Sequence, residues 1–122
     1  MKFFLIIPLL FFAGKAFAIT NLICSEEKYL RKITISIYQK SNNLIYHEDS
    51  VTMENNKFDE FGGFTKIEVT PHLYRIEYNQ KKKNFSQTTD INRLTLEVKQ
   101  YGKLDGENYI YEFKCSLSKP KF

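Results

Sequence analysis

The sequence of 122 residues is 43% hydrophobic and 26% charged, with 18 Lys+Arg against 14 Asp+Glu, which fits one domain and excludes an intrinsically disordered chain. Only 5 Gly and 3 Pro exclude a collagen-like repeat, and no apolar run reaches the ~18 residues of a durable membrane span.

Residues 1–18 read as a cleaved signal peptide. Lys2 supplies the positive start, Phe3 to Phe12 is an apolar run broken only by Pro8, and Ala16-Phe17-Ala18 carries the small residues a signal peptidase needs. The expected mature chain is a single all-β domain over residues 19–122, in the periplasm or the medium. Removing the signal takes away Lys2 and Lys15, so the remaining charge is nearly balanced. Acids are interleaved along the chain, whereas a nucleic-acid binder gathers cations on one face to displace counterions, so no nucleic-acid partner is expected.

The mature chain alternates apolar and polar residues with the period of half-buried strands. Leu22 and Cys24 share one face of a first strand. Ser25 to Arg31 has the makings of one helical turn, but Glu26, Glu27, Lys28 and Arg31 leave little to bury. Ile33, Ile35 and Ile37 then alternate with Lys32, Thr34 and Ser36. A turn at Asn42-Asn43 leads into a second hairpin arm with Leu44, Tyr46, Val51 and Met53 inward. Another turn at 54–57 precedes a short strand at Phe58 to Phe61, and Gly62-Gly63 permits a sharp reversal. Ile67 and Val69 face in, and Pro71, which has no amide proton for a ladder, marks a break before Tyr74, Ile76 and Tyr78.

Lys81-Lys82-Lys83 forms a turn and a candidate contact for an anionic surface. Asn84 to Asp90 is polar connecting chain, and Leu94, Leu96 and Val98 mark a strand. Gly102 and Gly106 bracket a loop that returns into the last strand, where Tyr109, Tyr111, Phe113, Cys115 and Leu117 alternate with polar residues. The phase of the first and last strands turns Cys24 and Cys115 inward. Export into an oxidising compartment then makes their disulfide the expected outcome.

The resulting class is all-β: an antiparallel meander of about seven to nine short strands forming a small barrel or sandwich. A link between the first and last strands favours the barrel, because closure removes exposed edges. Tyr and Phe can fill the core without tryptophan.

At Ile91-Asn92-Arg93-Leu94-Thr95, followed by a hairpin and Cys115, the sequence resembles a loose group of small secreted bacterial proteins of uncharacterised function. These often carry an Ile-Asn/Asp-Arg strand before a terminal cysteine. Lys114 stands where that group commonly has a glycine, and the resemblance implies no particular activity.

Catalytic chemistry has little support, and no enzyme is expected. His47 and His72 have no neighbouring nucleophile or second metal ligand at useful spacing. Glu26-Glu27, Glu48-Asp49 and Asp59-Glu60 are adjacent pairs that point to opposite faces when extended. No cofactor or metal is expected. The candidate protein-binding loop is Asp59-Glu60-Phe61-Gly62-Gly63-Phe64, where acids accompany two aromatic anchors. The expected function is a non-enzymatic binding protein, of inhibitor or immunity type, acting on an envelope or extracellular protein. The alternative is a small barrel holding an apolar small molecule.

Overall fold

A computed structural model describes residues 17–118. Its strands, in chain order, are β1 (Phe17–Glu26), β2 (Arg31–Lys40), β3 (Asn43–Glu48), β4 (Val51–Glu54), β5 (Lys57–Phe58), β6 (Phe64–Val69), β7 (Leu73–Gln80), β8 (Phe85–Asn92), β9 (Glu97–Leu104) and β10 (Glu107–Leu117). Residues 1–16 of the expected signal lie outside the described residues, and β1 begins just before the expected mature start.

All ten strands join one antiparallel sheet in the order β4-β3-β2-β1-β10-β9-β8-β7-β6-β5. Each strand pairs with its chain neighbours except at the seam, and β1 meets β10, so the two ends of the described chain lie side by side in the middle of the sheet. The sheet curls into a nearly closed barrel with its seam between β4 and β5. Asn55 and Asn56 stitch one end of that seam. The Asn55 amide donates to the Leu44 carbonyl at 2.9 Å and the Asn56 amide to the Thr65 carbonyl at 2.8 Å, while the Asn55 side chain accepts from the Ile67 amide at 2.7 Å.

Alternation places Leu22, Ile33, Ile35, Ile37, Ile76, Ile91, Val98 and Phe113 inside, each almost wholly removed from water. Their burial is the main driving force for closure. Cys24 and Cys115 face each other in the β1–β10 register and form the expected disulfide.

Turn chemistry accounts for the short connections. Ser41-Asn42 (φ 50° and 67°) and Asp105-Gly106 (φ 52° and 85°) both hold two consecutive left-handed residues, the conformation whose twist suits a two-residue hairpin. This places the first turn one residue earlier than expected, with Asn43 already in β3.

Several boundaries differ from the sequence reading, each for an identifiable reason. The arm expected to run from Leu44 to Met53 is two strands, because Asp49 turns back on β2. Its amide donates to the Thr34 carbonyl at 2.9 Å and its carboxylate accepts from the Thr34 amide at 2.9 Å. Leu94 and Leu96 belong to a turn rather than a strand. The Asn92 carboxamide oxygen captures the amides of Leu94 at 2.9 Å and Thr95 at 3.0 Å, which bends the chain before it can extend. The stretch expected as polar connecting chain, Asn84 to Asp90, lies mostly in β8, which is paired on both sides by β7 and β9. Gly102 lies within β9 rather than at a loop boundary. The strand expected at Phe58 to Phe61 shortens to Lys57–Phe58, and residues 27–30 form a turn between β1 and β2, tied by a 2.9 Å bond from the Tyr29 amide to the Glu26 carboxylate.

Candidate functional site at the open end of the barrel

The antiparallel order gathers the connections at 27–30, 49–50, 59–63, 81–84 and 105–106 at one end of the barrel. Below this end, apolar alternation gives way to polar inward residues. Tyr46 and Glu48 are two apart on β3 and therefore share the inward face. The Glu48 Oε1 atom accepts from the Tyr46 hydroxyl at 2.6 Å and from Gln100 Nε2 at 2.6 Å. Gln100 lies on β9, across the lumen from β3. Its Nε2 also donates to the Thr89 hydroxyl at 3.3 Å. This satisfied network forms a polar floor over the apolar core, and burial, together with the Glu48 charge, pushes the Tyr46 pKa well above the usual tyrosine value.

Above the floor is a cavity of about 390 Å³ lined by Glu48, Val51, Met53, Asp59, Phe61, Tyr78, Gln80, Lys83, Phe85 and Gln87. A chain of aromatic rings continues round the mouth. Tyr78 and Phe85 have ring centroids 5.9 Å apart, Phe85 stacks parallel to Tyr109 at 6.5 Å, and Tyr109 meets Tyr111 at 5.7 Å. The Arg31 guanidinium sits 4.5 Å from the Tyr111 ring centroid, a cation–π contact that occupies that face. The Tyr109 hydroxyl donates to the Gln87 side chain at 2.7 Å.

The loop expected to bind a partner joins β5 to β6 at this same mouth. Asp59 organises it: Oδ1 accepts from the amides of Phe61 at 2.9 Å and Gly63 at 2.8 Å, and Oδ2 accepts from the Tyr78 hydroxyl at 2.5 Å. The Phe61 carbonyl is held in turn by Gln80 Nε2 at 3.0 Å. Although partial burial acts to raise the Asp59 pKa, the Tyr78 hydroxyl and the loop amides outweigh it and hold the carboxyl below its ordinary value. Gly63 admits no larger residue without a rearrangement, since a Cβ there would fall 2.0 Å from the Tyr78 hydroxyl.

Of the two anchors read from the sequence, Phe61 is 64% exposed, whereas Phe64 is partly buried and packs on Phe58, with ring centroids 4.8 Å apart. Phe58, itself 72% exposed, takes the place of Phe64 as the second outward ring. Lys81–Lys83 form a 3-10 turn at the same end of the barrel. Lys83 lines the cavity and all three lysines are exposed, so the topology brings together the two candidate surfaces that the sequence offered separately.

His47 lies outside the mouth, its Nδ1 at 2.7 Å from the Thr52 hydroxyl, and His72 sits in the exposed turn between β6 and β7. Among the described residues no group of three His, Cys, Asp or Glu side chains is placed to hold a metal, and no helix is long and apolar enough to cross a membrane. A larger groove of about 450 Å³ lies on the outer face of β7 to β10. Its Asp90 carboxylate is already engaged by Arg75, with Nε and Nη2 at 2.8 Å and 3.1 Å, and by the Tyr101 hydroxyl at 3.0 Å. The rest of that groove is lined largely by charged side chains, Glu97, Lys99, Glu112 and Lys114, and it lacks the aromatic wall of the mouth.

Sequence reasoning missed Glu48, Gln87 and Gln100 as site residues. The available signal is an acid two residues beyond Tyr46 in the inward phase of a strand, which the Glu48-Asp49 adjacency by itself does not reveal.

Burial pushes the pKa values of Tyr78 and Tyr109 up to about 12. An unfolded tyrosine ionises near ~10, so the unfolded chain loses these protons first as pH rises. The stability linked to them is fully present below pH ~10 and declines as the pH climbs towards ~12. Urea midpoints measured at about pH 9 and about pH 11 should fall between the two, and the fall should shrink in Tyr78→Phe. Equal midpoints would contradict the burial of these hydroxyls.

No protein-family model, curated protein or solved structure matches this chain.

Proposed function

We propose that this chain is an exported, non-enzymatic binding protein of inhibitor or immunity type, whose working surface is the rim of the barrel mouth. The observation that carries this reading is a rigid loop with exposed aromatic rings: Asp59, Tyr78 and Gln80 fix residues 59–63 from below while Phe58 and Phe61 remain exposed. Preorganised aromatic anchors lose little conformational freedom on docking and contribute strongly to affinity. The disulfide supports export to the periplasm or medium, where such bridges persist. The resemblance to small secreted bacterial proteins agrees with the same setting.

The test is capture from native envelope and medium fractions, followed by affinity measurement for the captured protein. Phe58→Ala and Phe61→Ala are each expected to weaken binding by about 2 kcal/mol or more, roughly thirtyfold in Kd. Ile110→Ala, which removes an exposed side chain from β10, should leave affinity unchanged. Equal binding by the double Phe variant, or the absence of any wild-type partner, would reject this reading.

A second reading, a barrel that holds an apolar small molecule, is favoured by the cavity of about 390 Å³ and its aromatic wall. Any such ligand would sit at the mouth, because the interior beneath is filled by the Tyr46-Glu48-Gln100-Thr89 floor and the core.

A further inference from the structure

We propose that the mouth cavity is a binding site for an organic cation, an alkyl-ammonium or guanidinium group on an apolar stem, with Glu48 as its counter-charge. Inward phase on β3 carries a carboxylate into the lumen, where an unpaired charge is costly. The two described hydrogen bonds to Glu48, from Tyr46 and Gln100, both land on Oε1. They fix the carboxylate while leaving Oε2 for a ligand.

The other charges around the cavity are differently committed. Asp59 uses both oxygens to hold its loop and Tyr78. Arg31 is stacked on Tyr111, and Lys83 is an exposed rim residue whose flexible stem lets its ammonium stay in water. Tyr78 and Phe85 line the wall, and aromatic rings attract a cation through their quadrupoles. Val51, Met53 and Phe61 supply the apolar surface for a stem. A volume of about 390 Å³ lies within the range of small-molecule pockets.

The same chemistry can come from a free amine or from a lysine or arginine side chain of a protein docked on the rim. This inference does not depend on the docking role of Phe58 and Phe61, since both remain intact in the variants below.

Calorimetric titration with phenethylammonium represents the free amine, and titration with Nα-acetyl-lysine amide represents the side chain. Saturable binding of either supports the site, and the tighter of the two identifies its source. Neutral 2-phenylethanol and anionic phenylacetate should bind at least about tenfold more weakly than phenethylammonium to the wild type, a comparison that needs no variant. Glu48→Gln keeps an acceptor for Tyr46 and Gln100 but removes the charge. It should weaken cation binding by about tenfold to a hundredfold, with circular dichroism unchanged. Glu112→Gln on the outer face should have no effect. Failure of both cations to saturate at millimolar concentration, equal affinity for 2-phenylethanol, or unchanged affinity in a folded Glu48→Gln protein would overturn the proposal.

Discussion

Replacing Cys24 and Cys115 together by serine is expected to lower stability by about 4–5 kcal/mol. The bridge joins residues 91 apart in sequence, and a cross-link over a loop of that size removes entropy from the unfolded chain by roughly this amount in the chain-entropy model. That is comparable with the entire net stability of many small domains. The sulfurs also lie inside the barrel between β1 and β10, so two serine hydroxyls would enter apolar surroundings. Urea unfolding of the wild type, with and without reductant, and of the double variant should give a much lower midpoint whenever the bridge is absent. A shift below ~1 kcal/mol would mean that pairing of β1 with β10 already constrains the unfolded ensemble.

A single methyl group at Gly102 is expected to destabilise the protein by about 3 kcal/mol. In an ordinary strand, Gly→Ala is favourable by roughly 0.5–1 kcal/mol because it restricts the unfolded chain. Here the sign reverses on a steric fact: a Cβ at Gly102 would fall 2.0 Å from the Ser86 carbonyl oxygen and 2.9 Å from the Gln87 Cα. Backbone cannot yield as a flexible side-chain tip can, so β8 and β9 must separate where Gly102 faces Gln87 in the register. The same displacement would disturb the 2.7 Å bond from Tyr109 to Gln87 and thus the wall of the mouth. Gly106 provides the comparison. Its added methyl meets nothing within 4 Å, and its φ of +85° is the sole obstacle, so Gly106→Ala should cost about 1–2 kcal/mol. Thermal or urea unfolding that found Gly102→Ala as stable as wild type would show that β8 and β9 can part at little cost.

Both expectations depend on closure, and closure was only partly legible in the chain. Ile33, Ile35 and Ile37 alternate with polar neighbours, which marks β2 and its buried face without reference to any other strand. Tyr109 to Cys115 does the same for β10, although Leu117, read as inward, is 67% exposed, and the inward phase of Cys24 and Cys115 carries enough information to pair them. The clearest failures arose where a side chain bent the backbone against its apolar pattern. Leu94 and Leu96 carry the period of a strand, yet the Asn92 side chain takes the amides that a strand would give to its neighbour. Residues 85–90 showed the opposite error. They look polar because half of β8 points outward, where Asp90 is engaged by Arg75 and Tyr101, and the inward half includes Gln87 and Thr89, which serve the lumen network rather than an apolar core.

The candidate loop was visible as a composition, two glycines between phenylalanines and acids, but its working form was not. The sequence presents Asp59 as one of the acids accompanying the aromatic anchors, whereas in the structure it is the hub that turns the loop and receives Tyr78 from a different strand. Composition alone makes Phe64 an outward anchor, whereas pairing of β5 with β6 sets it against Phe58. Which ring remains exposed depends on that pairing.

The sequence by itself determined the all-β class, the inward faces of most strands, the residues of the disulfide and the stretch of chain that forms the rim loop, because these follow from local alternation, turn chemistry and the count of cysteines. Tertiary structure alone decided that the sheet curls into a barrel and that Glu48 meets Gln100 across its lumen. It also set the lysine turn beside the phenylalanine loop. A period of two residues states which side of a strand is buried but carries no information about which strand stands opposite. The Glu48 and Gln100 side chains, 52 positions apart, become partners only when the whole sheet has closed around them.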